Sequence, residues 1–416
     1  MRILFIHQNF PAQFKHLAPA LAARGHEVNV LTMSNNIGTE WLNIKAFKYQ
    51  PSRGSTPDIH PWVVDLETKI IRAEAVFKQA LELKAQAYHP DLILAHPGWG
   101  ESLFLKEVWP KAVLALYCEF YYQLQGADTG FDPEFSSSAE DDVCRLKLKN
   151  INNLLHFELA DAGIAPTHWQ ASTFPEPFRN LISVIHDGID TQAIAPNPQA
   201  GMSFSNGLSL SKNDEIITFV ARNLEPYRGY HIFMRALPDI LKRRPKARIL
   251  IVGDNDVSYG NRPPNGQSWS EIFREEISPL VSDADWSRVH FLGRITYNHF
   301  MVLLQLSTVH IYLTYPFVLS WSLLEAMSAG CAIVASNTEP LLEAITHDQT
   351  GRLIDFFDVS ALVNEVCGLL DNPHQRQRLG VQAREFARQN YDLNSVCLPR
   401  QIAWVENLGK KPIGMY

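Results

Sequence analysis

The sequence offers little to hold a metal, a disulfide framework or a membrane span. Only five of its 416 residues are cysteine (Cys118, Cys144, Cys331, Cys367 and Cys397), and no two form a Cys-x-x-Cys pair. An odd count without that spacing argues against a zinc site or disulfide scaffold and fits a reducing compartment. Basic residues are outnumbered, 37 Lys and Arg against 44 Asp and Glu, for a net charge of −7. That balance excludes a general nucleic-acid binder, which carries a basic stripe. The densest basic cluster, Lys242-Arg243-Arg244-Pro245-Lys246, reads as a solvated helix end. Contact with an anionic membrane surface is the other reading. The apolar start Met1–His7 is too short for a signal peptide and reads as a strand. No Asp, Glu, Lys or Arg lies between Arg294 and Glu325. Asn298, His299, Gln305, His310 and Pro316 interrupt that stretch, so a buried helix–strand–helix is expected instead of a span. No repeat at solenoid spacing is present. A cytoplasmic protein is expected, with peripheral contact at the inner face of the membrane as the alternative.

Short apolar runs alternate with helical patterns along the whole chain. In the first half the expected strands are Arg2–His7, Glu27–Thr32, Asp91–His96, Ala112–Cys118, Ala162–Pro166 and Ser183–His186. They are continuously apolar, as parallel strands covered on both faces must be. Helices are expected over Pro11–Arg24, closed by Gly25, and over Glu67–Ala87. The second half repeats the pattern with Ile216–Ala221, Ala247–Gly253, Arg288–Gly293, Val309–Tyr315, Cys331–Ser336 and Gly351–Ile354. Such alternation implies right-handed crossovers and open parallel sheets. Two α/β Rossmann-like, doubly wound domains facing across a cleft are therefore expected. The assigned ranges are 1–195, a Pro-, Gly- and Ser-rich linker at 196–213, 214–395, and a C-terminal helix and tail at 396–416 that packs back on the first domain. Ligands of open parallel sheets bind beyond the C-terminal strand ends, so residues just after strands are the candidates.

Two constellations follow strands of the second half. In Ala221-Arg222-Asn223-Leu224-Glu225-Pro226-Tyr227-Arg228-Gly229, two arginines flank a loop and a helix start. Guanidinium forks match phosphate oxygens in charge and shape, and a helix N-terminus adds amide donors. Surface arginines at a helix start would look the same. In Tyr315-Pro316-Phe317-Val318-Leu319-Ser320-Trp321-Ser322-Leu323-Leu324-Glu325-Ala326-Met327-Ser328-Ala329-Gly330, Ser320 is an N-cap and Gly330 closes the helix. Glu325 lies in an otherwise apolar helix and needs a partner. Ribose hydroxyls would serve, as would an arginine or helix amides.

Together these segments resemble the retaining GT-B glycosyltransferases of family four, the glycosyl transferases group 1. The Gly-Arg…Lys-Gly pattern of that family is met by Ala221-Arg222 and Arg228-Gly229, and its Glu-Ala-Met-Ala-x-Gly helix by Glu325–Gly330. His186-Asp187-Gly188-Ile189-Asp190, Phe291-Leu292-Gly293-Arg294 and Gly25-His26-Glu27-Val28 resemble three further family segments in the right order. The resemblance implies a GT-B fold and transfer of a sugar, with retention, from a nucleotide-sugar donor, a UDP-sugar by expectation. The acceptor would be a glycan, a glycolipid or a small molecule, and the setting cell-surface polysaccharide or glycoconjugate synthesis. Arg222 and Arg228 would grip the diphosphate, Glu325 the ribose, and Gly293, Arg294, Phe317, Leu319 and Ser320 would line the donor site. Neither cofactor nor metal is implied, because the arginines supply the charge.

Four features depart from the family. Phe317 stands where a second glutamate is usual, Arg228 where a lysine is, keeping the charge but changing its geometry, Cys118 where a histidine is frequent, and His7-Gln8-Asn9-Phe10-Pro11 where a glycine-rich loop is found.

The first half carries weaker signals. His96-Pro97-Gly98-Trp99-Gly100-Glu101 makes a tight turn whose Trp99 suits a sugar face or a core. Cys118-Glu119-Phe120-Tyr121-Tyr122 and Asp128–Glu134 crowd acids and aromatics after the next strand. Glu119 is a candidate general base. His96, Trp99, Gly100, Glu119, Tyr121 and Asp128 are the candidate acceptor residues. Asp254-Asn255-Asp256 reads as a loop and not as a metal motif. A monomer or homodimer is expected. A catalytically impaired binding or scaffold protein and a nucleotide-sugar epimerase are the rival readings.

Overall fold

The computed structural model describes residues 1–135, 139–204, 207–263 and 266–410, excluding the side chains of 139–142. Ser205 of the expected linker and 411–416 of the expected tail lie outside the described residues. The chain divides into two compact units. The first is Met1–Gly130, Ser136–Asp187 and Asn394–Tyr416; the second is Phe131–Phe135 and Gly188–Leu393.

The first unit is built on eight strands: β1 (Arg2–Ile6), β2 (Glu27–Thr32), β3 (Glu40–Trp41), β4 (Ile44–Lys48), β5 (Leu92–Ala95), β6 (Val113–Tyr117), β7 (Ala162–Ala165) and β8 (Ile182–Val184). Their order is β3-β4-β2-β1-β5-β6-β7-β8, parallel except for β3 against β4. The alternation of side chains along a strand explains why β1 is apolar throughout. Ile3 and Phe5 enter one core with Leu17 and Leu21, whereas Leu4 and Ile6 enter another with Val76 and Ala80. The helix Leu398–Leu408 closes the first of these cores with Val405 and Leu408 and pairs Glu406 with Arg24 at 2.7 Å.

The second unit holds the hairpin β9 (Gly201–Ser203) and β10 (Ser209–Ser211). Its six-stranded parallel sheet comprises β11 (Ile216–Asn223), β12 (Arg248–Asp254), β13 (Val289–Phe291), β14 (Val309–Tyr312), β15 (Ile333–Ser336) and β16 (Arg352–Ile354). The order is β13-β12-β11-β14-β15-β16. The chain winds outward from β11, returns to β14 beside it, and winds the other way. The first unit does the same at β1 and β5. Each unit is thus a doubly wound Rossmann-like α/β sheet, with its strand order reversing between β1 and β5 or between β11 and β14. The charge-free stretch is the expected helix–strand–helix: Tyr297–Leu306, β14 and Trp321–Ser328. No helix among the described residues is long and apolar enough to cross a membrane.

Three local expectations need correction. Residues 196–213 are not a loose linker. Ala200 and Leu210 are buried in the second unit's core with Ile194, and the chain passes between units at Asp187 and Gly188. The Pro11–Arg24 helix is a short 3-10 turn, Ala12–Phe14, followed by the helix Leu17–Ala23. Ala12 has φ of +38°, outside the helical region, and Pro19 sits in the first turn, where its missing N–H needs no partner. The β3–β4 pair escapes sequence reading because its turn is Leu42-Asn43, with φ of +50° and +64°. Both signs suit a type I′ turn, but leucine gives no hint of one.

Candidate functional site

In the second unit the loop after β11 tightens into a 3-10 turn over Pro226–Arg228, and Gly229 then starts the helix Tyr230–Arg243. Gly229 has φ of +67°, and a Cβ there would run into Leu313 just past β14. The glycine after Arg228 is what lets the loops leaving these neighbouring strands touch. Arg228 is buried, and its Nη1 donates to Thr314 Oγ1 at 2.9 Å. Its guanidinium lies 5.1 Å from the Tyr259 ring, within cation–π range. Around it Tyr227 packs on Tyr259, Tyr315 and Phe317 with ring centroids 5.3, 4.9 and 5.2 Å apart. Glu225 holds the loop that carries Tyr259. Its carboxylate is fully buried and accepts from the amides of Ser258, Tyr259 and Gly260 at 3.2–3.3 Å. Arg222, by contrast, is exposed at the end of β11.

The loop after β14 runs from Leu313 to Ser320, whose side chain caps the helix Trp321–Ser328 by accepting from the Ser322 amide. Glu325 lies on that helix, 7% exposed, and its Oε1 accepts from Tyr297 Oη at 2.6 Å. Burial, followed by the Glu325 charge, pushes the Tyr297 phenol up, so Tyr297 stays a donor. Arg228 and Glu325 therefore both follow strands that flank the reversal of strand order. Of the other donor candidates, Phe317 is buried against Tyr227 and Tyr259, and Leu319 belongs to the core. Gly293 adopts φ of +61°, and Arg294 is exposed and paired with Asp254 at 2.7 Å. That pairing occupies the first acid of Asp254-Asn255-Asp256.

In the first unit the residues after β1, β5 and β6 form one network. His7 Nδ1 accepts from the Asn9 amide at 3.0 Å, so its Nε2–H donates to Gln13 Oε1 at 2.9 Å. Gln13 Nε2 then donates to Glu119 Oε1 at 3.2 Å. His96 Nδ1 accepts from the Gly98 amide at 3.1 Å, leaving its Nε2–H for Glu119 Oε2 at 3.3 Å. His96 is sandwiched between Trp99 and Tyr117, with centroids 4.3 and 5.6 Å away, and Trp99 meets His7 edge-on at 4.8 Å. Burial, then the neighbouring His96, lowers the His7 pKa to about 3, so its imidazole is neutral. Burial alone would raise the Glu119 pKa. The His96 hydrogen bond and electrostatic pull, together with the Gln13 hydrogen bond, outweigh it and hold the carboxyl below its ordinary value.

The remaining first-unit candidates stand apart from this network. Gly100 is a turn glycine at φ +83° pressed against Lys69. Tyr121 packs on Phe157 and Phe174, and the Asp128 charge acts on Lys149. Cys118 is buried, and burial pushes its thiol well up from its ordinary value.

Among the described residues one group could hold a metal ion, Asp132, Glu134 and His231. Glu134 is already held by a two-bond fork from Arg235 at 2.7 Å, and His231 Nε2 lies 3.0 Å from Asp132 Oδ2. Sequence reasoning missed Tyr297, Thr314, Tyr259 and Gln13, because single polar or aromatic residues acquire meaning only from their neighbours in space.

The family described as Glycosyl transferase family 4 group matches residues 24–194, and Glycosyl transferases group 1 matches residues 204–386. The D-inositol 3-phosphate glycosyltransferase of Corynebacterium efficiens is 26% identical over 50% of this chain and 47% of its own length, so this chain matches about half of that relative. The glycogen synthase of Mycobacterium tuberculosis is 24% identical over 95% of this chain and 92% of its own. Among solved structures, sucrose-phosphate synthase from Thermosynechococcus elongatus superposes with a TM-score of 0.71 at 19% identity, covering 98% of this chain and 99% of that one. Anabaena HepE in complex with UDP and glucose gives 0.66 at 18% identity, covering 98% and 99%. At such identities the structural likeness is one of fold.

Proposed function

The chain belongs to glycosyltransferase family four, the group 1 glycosyltransferases, and from that premise we propose that it moves a sugar from a nucleoside-diphosphate sugar, a UDP-sugar first of all, to an acceptor hydroxyl. One observation carries the reading. A buried arginine and a nearly buried glutamate follow the two neighbouring parallel strands at which the second unit reverses its strand order, the position where such sheets bind nucleotides.

Arg228 meets the donor diphosphate from its Thr314-fixed position, and the exposed Arg222 closes on it from solvent. The acceptor oxygen bonds to the anomeric carbon, and the bond from that carbon to the diphosphate oxygen breaks. The electron pair leaves with the diphosphate, whose growing charge the guanidinium groups stabilise. The acceptor attacks on the face from which the diphosphate leaves, which gives retention, and its proton passes to an oxygen of the departing phosphate. Glu325 accepts from the ribose hydroxyls beside Tyr297. The first unit takes the acceptor, a glycan or lipid-linked glycan, through Glu119, His96 and Trp99. The carboxylate accepts from the acceptor hydroxyl and the indole offers a ring for a sugar face. The buried Phe317 favours one second reading, a protein that binds nucleotide without transfer.

Thermal shift against UDP, GDP, ADP and dTDP tests the donor reading. A ligand at 100 times its Kd stabilises by about 2.7 kcal/mol, so one of the four raises Tm by several degrees. Glu325→Ala should weaken binding by about tenfold or more and erase the preference for ribose over 3′-deoxyribose. No shift with any of the four overturns the proposal. A shift without donor turnover supports the second reading.

A further inference from the structure

The five residues Phe131–Phe135 come from the first half of the sequence, with first-unit chain on both sides, yet they are part of the second unit. Each end is held by aromatic packing. Phe131 stacks on Phe357 at 5.3 Å and meets Phe356 and Tyr315 at 5.2 and 5.1 Å. Phe135 meets His231 at 5.2 Å and Trp269 at 5.1 Å. Between them lies Asp132, 4% exposed. Its Oδ1 accepts from the Glu134 amide at 3.0 Å, and its Oδ2 accepts from Tyr315 Oη at 2.7 Å beside His231 Nε2 at 3.0 Å. Burying a carboxylate costs several kcal/mol unless such partners surround it. The packing of the two phenylalanines would hold the segment without it, so the acid calls for a reason of its own.

Tyr315 supplies that reason. Its phenol is tied to Asp132, its amide donates to the Tyr227 carbonyl at 3.1 Å, and its ring lies 4.9 Å from the Tyr227 ring. Its neighbours on either side are joined to Arg228 directly: Tyr227 precedes that arginine in sequence, and Thr314 receives its hydrogen bond. We propose that Asp132 is a positioning residue for sugar transfer: through Tyr315 it fixes the loop 313–320 and so the aim of the Arg228 guanidinium at the donor diphosphate. The proposal rests on the donor reading given above. Asp132 touches no substrate. It acts through another side chain, and a misplacement of about 1 Å at a charge-stabilising group can cost about a hundredfold in rate.

The test compares Tyr315→Phe, which removes only the hydroxyl, with Asp132→Asn, Asp132→Ala and Arg228→Ala in the full chain. Affinity is read for whichever of UDP, GDP, ADP and dTDP gives the largest thermal shift, together with donor KM, kcat and Tm. Tyr315→Phe is expected to raise the nucleotide Kd and donor KM about tenfold, the scale of a lost hydrogen bond to a charged group, with Tm within a few degrees. Asp132→Asn, which can still accept from Tyr315, should lose less than Asp132→Ala. In an Arg228→Ala background Tyr315→Phe should cost nothing further, since both act through one group. A purely structural Asp132 would lower Tm and leave these ratios alone. If Arg228→Ala weakens binding while Tyr315→Phe does not, or if their effects simply add, the proposal is overturned and the donor reading stands. If Arg228→Ala leaves nucleotide affinity unchanged, the donor reading fails and takes the proposal with it.

Discussion

Arg228 Nη1 and Thr314 Oγ1 lie 2.9 Å apart and tie together the two loops that leave β11 and β14. The bond removes much of the guanidinium's freedom to swing. Thr314→Val should therefore raise donor KM several-fold with little change in Tm, since the bond made is to a charged donor. Arg228→Ala removes the charge itself and should lower turnover about a hundredfold or more, the scale of one lost oxyanion-stabilising group. Arg228→Lys should fall between the two, because a point charge cannot reproduce the fork. Arg222→Ala should cost more than tenfold. Steady-state kinetics with the donor identified by thermal shift decide these values. An Arg228→Ala enzyme at full rate would remove the arginine from the chemistry.

Glu119 is met by two donors, His96 Nε2–H and Gln13 Nε2–H, and stays ionised below the pH at which an ordinary carboxyl takes up its proton. Its pKa is depressed on folding, so its contribution to stability is complete above the ordinary carboxyl pKa and is lost as pH falls through the folded value. Glu119→Gln should flatten that acid loss. The same change should lower acceptor-dependent transfer about tenfold, the scale of a lost hydrogen bond to a charged group, and leave nucleotide affinity and donor hydrolysis intact. Equal loss of transfer and of nucleotide binding would remove Glu119 from the acceptor's side of the reaction.

How much of this the sequence made legible follows from the range of the forces involved. The parallel strands were readable because burial on both faces leaves a continuous apolar run, as in β5 and β6. Arg228 and Glu325 stood out as candidates because paired arginines around a loop and a lone acid in an apolar helix are local patterns. What was hidden depends on distant partners. Tyr297 is 28 residues from Glu325, and Thr314 is 86 from Arg228. The assignment of Phe131–Phe135 to the second unit was equally hidden, because Phe-Asp-Pro-Glu-Phe has the composition of a loop, and only Tyr315, His231 and Arg235 reveal its anchors. Gly100, Tyr121 and Asp128 were proposed for the cleft from the turn, aromatic and acidic residues that follow strands; in the structure Gly100 presses on Lys69, Tyr121 packs on Phe157 and Phe174, and the Asp128 charge acts on Lys149.

Glu101 yields a stability prediction with a defined sign. It is fully buried, its Oε1 accepts from Tyr49 Oη, and burial, only partly opposed by the Tyr49 hydrogen bond and by the His96 and Arg72 charges, raises its pKa from 4.5 to about 7. Between those values the folded chain holds a proton that the unfolded chain has released, so stability falls as pH rises from 4.5 to 7. The stabilisation present at low pH and lost by pH 8 amounts to about 3 kcal/mol. Buried neutral histidines act in the opposite sense. Burial lowers His7 and His186 to about 3, and His156 and His310 to about 4, so their contribution grows as pH rises toward 6.5. The total pH profile mixes both, and the difference between variant and parent isolates the glutamate. Glu101→Gln keeps an oxygen for Tyr49 and cannot ionise. In urea unfolding it should match the parent near pH 5 and exceed it at pH 8. A variant no more stable than the parent at pH 8 would mean that Glu101 ionises in the folded chain as it does in water.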